Sequence, residues 1–141
     1  MMTSFLFYLL SFTWGLPVTL SGGLCALAAL ICGAKCEKAG RCLLFRRGKS
    51  WGGFSLGVFL FVCEDADDSV LLHEEGHSVQ NCIYGPLMPF IVSIPSALRY
   101  WHRRLNKKKR PRRPYGSAWF EVQATRFGER LRQRRQENKR A

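Results

Sequence analysis

Residues 1–34 contain no Lys, Arg, Asp or Glu. Within them, FLFYLLSFTWGLPVTLSGGLCALAALICG (5–33) is uncharged and mostly apolar, so this segment must be buried in protein or in lipid. As one helix it would run about 43 Å, more than the ~30 Å hydrocarbon core of a bilayer. Trp14, Gly15 and Pro17 interrupt it, which predicts a tilted or kinked transmembrane helix or two short ones. Tyr8 and Trp14 suit an interface. A cleaved signal peptide fits less well: no basic residue precedes the run, the run is too long, and Lys35 follows it directly. Residues 1–34 are therefore read as a retained membrane anchor.

Charge sets the expected orientation. The chain has a net charge of +12 over 141 residues, concentrated in 35–49 and 102–141. Lys35, Lys38, Arg41, Arg46, Arg47 and Lys49 follow the apolar run and no basic residue precedes it, which predicts the N-terminus outside and residue 35 onward in the cytoplasm. The basic linker NKKKRPRRP (106–114) and the basic tail 129–141 would attract anionic lipid or nucleic acid without sequence preference. Topology alone calls for such basic flanks, so the expected partners are membrane lipid and a peptide or protein substrate, with no specific nucleic acid. Cys25, Cys32, Cys36, Cys42, Cys63 and Cys82 form no CxxC pair and read as reduced thiols.

The rest reads as one α+β unit. FSLGVFLFV (54–62) has strand composition and pairs with RCLLFRR across the turn RGKSWGG, a β-hairpin within 41–63. Residues 64–85 read as a helix started by Asp67, Asp68 and Ser69 and ended by Gly85-Pro86. Residues 86–101 are apolar but broken by Pro86, Pro89 and Pro95, as suits a re-entrant or interfacial segment. Residues 117–140 read as a helix that Ser117 can cap.

The helix over 64–85 carries HEEGH. His73 and His77 stand one turn apart on the face of Val70 and Gln80, spaced to share a tetrahedral ion, and Glu74 can act as base toward a water there. A catalytic zinc site wants a third protein ligand. Glu129 and Glu137 sit in a dense charge run, and His102 lies between Trp101 and Arg103 at the end of an apolar run, where an interface role is commoner. Glu121, in AWFEVQAT beside the small Ala124, is the favoured ligand. Gln80 is a candidate partner for the histidines. Tyr100, His102 and Arg126 are candidates for a second polar group facing a substrate.

HEEGH with EVQAT 44 positions after His77 resembles the gluzincin arrangement of zinc peptidases, closest to the membrane-embedded CAAX-protease, heat-shock and antirepressor types. There the later motif is ExxAD. Glu121 and Ala124 match it, and Thr125 stands where the Asp would buttress a zinc-binding histidine. FLFYLLSFTWGLP, WGGFSLGVF, HEEGHSVQNCIYGPLMPFIVSIPSALRYW and WFEVQAT are together similar to a group of small bacterial membrane proteins. The resemblance implies an anchor (1–34), a minimal gluzincin-like zinc domain (35–128) and a basic tail (129–141) in a bacterial cell membrane, with the active site at the cytoplasmic side. It also implies that a strand edge near the zinc pairs with an extended substrate.

The ligand set restricts topology. His77 and Glu121 must meet at one ion, so 86–101 must not carry the chain across a bilayer between them. The expected fold is therefore membrane-associated α+β: an N-terminal transmembrane helix, a β-hairpin, the HExxH helix, a re-entrant or interfacial segment, and a C-terminal helix bearing the third ligand. The expected function is zinc-dependent peptide hydrolysis. The alternatives are a zinc-binding regulator that cleaves nothing and a basic membrane protein that binds anionic lipid or nucleic acid.

Overall fold

A computed structural model describes residues 2–105 and 118–140. Their elements are α1 (Ser4–Phe12), α2 (Leu16–Ile31), β1 (Lys35–Ala39), β2 (Cys42–Arg46), β3 (Gly53–Leu56), β4 (Phe59–Val62), α3 (Asp68–Tyr84), α4 (Ile94–Leu105) and α5 (Trp119–Arg140). A 3-10 turn, Gly85–Leu87, and a π turn, Pro89–Ser93, join α3 to α4. The linker 106–114 and the expected cap Ser117 lie outside the described residues.

The N-terminal apolar run is not one helix. Thr3 caps α1 by accepting a hydrogen bond from the Leu6 amide (3.2 Å), and Thr13 Oγ1 turns back to the Leu9 carbonyl (2.6 Å) where α1 ends. Pro17 opens α2, where its missing amide hydrogen has no helical partner to lose. The two helices meet at 88°, and no single helix among the described residues is long and apolar enough to cross a membrane. Of the two forms expected above, a kinked helix or two short ones, the run takes the second, a bent pair with the break at the Thr13-Trp14-Gly15 corner.

The sheet also differs from expectation. Its strands run in the order β1-β2-β4-β3. β1 and β2 form one antiparallel hairpin, β3 and β4 another, and β2 pairs with β4 in parallel. Residues 54–62 are therefore two strands rather than one. Gly57, at φ +63°, reverses the chain between them, and a Cβ there would overlap Thr19 of α2. The charged stretch 35–39 becomes edge strand β1, where lysines discourage pairing with another chain.

Phe7, Leu44, Val58, Leu60 and Val62 form the main core with Cys42 and Cys82, between α1, the sheet and α3. Asp67 caps α3, its Oδ1 accepting from the amides of Ser69 and Val70 (3.0 Å each). After α3 the chain bends by 116°, so the apolar segment turns back beside the site instead of leading away from it. α5 runs unbroken from Trp119 to Arg140 and packs on α3.

The α3–α5 crossing leaves no room for side chains. A Cβ on Gly76 would overlap the Ala124 carbonyl, and one on Gly128 the Leu72 carbonyl. Gly76→Ala is expected to force the helices apart and lower stability by about 2 kcal/mol or more. Gly23→Ala in α2 meets only Phe59 ring atoms at 3.8 Å or more. It is expected to be neutral or to stabilise by about 0.5–1 kcal/mol. Thermal unfolding in detergent, followed by circular dichroism, compares the two.

Candidate metal centre

α3 presents His73 and His77 one turn apart, and the close crossing sets Glu121, in the first turn of α5, against both. The two Nε2 atoms are 3.1 Å apart. Glu121 Oε2 lies 2.9 Å from His73 Nε2 and 3.5 Å from His77 Nε2. Nitrogen and oxygen ligands at 2.0–2.1 Å in tetrahedral directions stand about 3.3 Å from one another, so this triangle has the right size for one ion. The three residues could hold a metal ion.

The surrounding hydrogen bonds decide where the imidazole lone pairs point. Gln80 Nε2 donates to the Phe120 carbonyl (2.8 Å) and to Gln123 Oε1 (2.9 Å). Its Oε1 is therefore the atom facing His77 Nδ1 at 2.7 Å, and Nδ1 must donate. Thr125 Oγ1 donates to the Glu121 carbonyl (3.1 Å) and so accepts from His73 Nδ1 (3.0 Å). Both rings thus carry their hydrogen on Nδ1 and turn Nε2 toward Glu121. Two nitrogen lone pairs and a carboxylate oxygen at these distances repel one another unless a cation lies between them. The donor set fits a metal ion.

In the ion's absence, protons compensate. Burial pushes the Glu121 pKa up, but hydrogen bonds with His73, His77 and Ser96 outweigh this and hold the carboxyl well below its usual range. Burial lowers the His77 pKa, yet Glu121 and then Glu74 outweigh it, and the net direction is up. Protons and a metal therefore compete for the same three atoms.

Glu74 is buried on the same turn of α3, and its Oε2 has no hydrogen-bond partner. Burial raises its pKa. Gly53, at the start of β3, packs closely against it: a Cβ there would come within 3.1 Å of Glu74 Oε1.

The structure brings together His73, His77, Glu121, Thr125 and Gln80. It does not bring in His102 or Arg126, which are exposed on α4 and α5 and fall outside the three-residue group, as do the exposed Glu129 and Glu137. Tyr100 donates to the Trp51 carbonyl (3.2 Å). One contributor escaped the sequence: Ser96 donates to Glu121 Oε1 at 2.6 Å, from a proline-broken run that offered no signal for it. No family model, curated protein or solved structure matches this chain.

His77→Ala and Glu121→Ala are expected to abolish stoichiometric metal uptake. Gln80→Leu and Thr125→Val are expected to weaken it about 10–100-fold. Because the His77 pKa is raised, affinity for a divalent ion falls as pH drops, starting above the range in which a free imidazole titrates, as protons reclaim Nε2. Competition titration against a chromophoric chelator measures each effect.

Proposed function

We propose that this chain is a membrane-anchored zinc-dependent peptidase, with His73, His77 and Glu121 as ligands and Glu74 as general base. The observation that carries the reading is the convergence of three donors from two helices beside a second buried carboxylate, Glu74, one of whose oxygens has no partner. Two imidazoles and one carboxylate, with a position left open, form a ligand set of catalytic zinc. When bound there, zinc supplies Lewis acidity toward a carbonyl and acidifies a water.

The chain's own residues would do the rest. Glu74, buried on the same turn as the ligands with one oxygen unpartnered, would take a proton from the attacking water and return it to the leaving amine. β3 lies at the edge of the sheet, and Gly53 brings its backbone close to Glu74. An extended peptide added along that edge would lie beside the base, held by main-chain hydrogen bonds.

The anchor is supported by the apolar surfaces of α1 and α2, where Phe5, Phe12, Leu20, Leu24 and Ile31 are exposed. Lipid around the bent pair would cover them. The basic residues from Lys35 onward favour the cytoplasmic side for the site.

Elemental mass spectrometry and a peptide-library digest on the same detergent-purified samples test the proposal. Wild type and Glu74→Gln are expected to carry one zinc per chain, with Glu74→Gln slower in cleavage by about 10²–10⁴-fold. Zinc in both with cleavage by neither would replace the peptidase reading with that of a zinc-binding regulator.

A further inference from the structure

We infer that α4 is an interfacial helix whose apolar face lies on an anionic lipid surface, and that its seat there positions the third metal ligand through Ser96. The inference rests on the metal-site reading above and adds a way of controlling that site.

α4 carries Ile94, Leu98, Trp101 and Leu105 at i, i+4, i+7 and i+11, one helical face. They are 48, 65, 56 and 79% exposed, and no residue of α4 is buried. The helix packs mainly on the π turn that precedes it. A twelve-residue helix with four large apolar side chains outside the core is marginal in water and needs a partner for that face.

Charge identifies the partner. Arg104 flanks that face and lies 6.0 Å from the ring centroids of both Tyr100 and Trp101. The next stretch of sequence, 107–113, adds six more Lys and Arg. An apolar stripe with a tryptophan and a basic flank is the pattern of a helix lying in the headgroup region of an anionic bilayer. A second copy of the chain would suit the face poorly, because it would bring like charges together.

The other side of α4 reaches the site. Ser96 donates to Glu121 Oε1 at 2.6 Å, and Tyr100, one turn on, donates to the Trp51 carbonyl at 3.2 Å. With Oε1 held by Ser96, Oε2 faces the two histidines. Ser96 is thus a positioning residue. A helix seated on lipid keeps its hydroxyl in place, and one lifted off releases the Glu121 carboxylate to rotate. By linkage, a surface that favours the seated helix also favours metal binding.

The test uses the full chain in lipid nanodiscs, of phosphatidylcholine alone or mixed with phosphatidylglycerol. One readout is the zinc dissociation constant from chelator competition. The other is the part of the tryptophan quenching by brominated acyl chains that Trp101→Phe removes. In anionic discs Trp101 is expected to be quenched and zinc to bind about tenfold more tightly than in neutral discs. Leu98→Glu should abolish both differences. Ser96→Ala should weaken zinc about tenfold. It should leave the quenching intact, and Ser96→Thr, which keeps the hydroxyl, should restore zinc affinity. An unquenched Trp101 would overturn the docking. Quenching without any change in zinc affinity on Leu98→Glu or Ser96→Ala would overturn the coupling. No zinc in any disc would remove the metal-site reading itself, and this inference with it.

Discussion

Gly76 of α3 lies against the backbone of Ala124, and Gly128 of α5 lies against that of Leu72. The two helices touch main chain to main chain about one helical turn apart. Gly76 adjoins His77, and Ala124 follows Glu121 by less than a turn. The crossing therefore fixes the height and rotation of the carboxylate relative to the imidazoles. A single methyl group at either glycine would move the helices apart by more than a metal's coordination sphere tolerates, since ligand distances are set to within about 0.2 Å. The geometry of the donors is a consequence of this steric contact.

The same pair of helices buries three carboxylates, and each is handled differently. Glu75 is paired with Arg135 from the far half of α5. A pair with one partner so buried adds little net stability, but loss of the arginine would leave an uncompensated charge. Glu121 faces the two histidines and receives the Ser96 hydroxyl. Glu74 keeps one oxygen unpartnered and has Gly53 of β3 packed against it, with no arginine beside it among the described residues. A buried acid without a full set of partners is unfavourable for folding, and such groups gather where chemistry is done. Glu75 also keeps one oxygen unpartnered, so what separates the two is the arginine beside Glu75, which Glu74 lacks.

Part of this was readable in the chain. The caps of α3, the shared face of His73, His77 and Gln80, and the isolation of Glu121 in an apolar helix start all follow from short-range rules of helix geometry. Thr125 was suspected from the ExxAD resemblance, and it stands against the first histidine. The strands were harder. Residues 54–62 have the composition of one strand, yet a turn at Gly57 splits them, because α2 packs there and only glycine fits against Thr19. The charged stretch 35–39 carries no strand signal in the sequence, because it buries nearly nothing. It is a strand because β2 offers it hydrogen bonds.

The sequence alone determined the local facts: where the uncharged run lies, which residues carry metal-binding chemistry, and which face of α3 they share. Those follow from composition and from the helical period, which act within a few residues. Only the tertiary structure decided that the break expected at Trp14, Gly15 and Pro17 turns the chain by 88°. It also decided that two hairpins join through a parallel pair, and that Ser96 reaches Glu121. Each of these depends on groups far apart in the chain coming within a few ångströms, as at Gly15, Gly57 and Gly76, where a neighbouring element leaves no room for a side chain. Periodicity within one segment cannot encode which other segment will press against it.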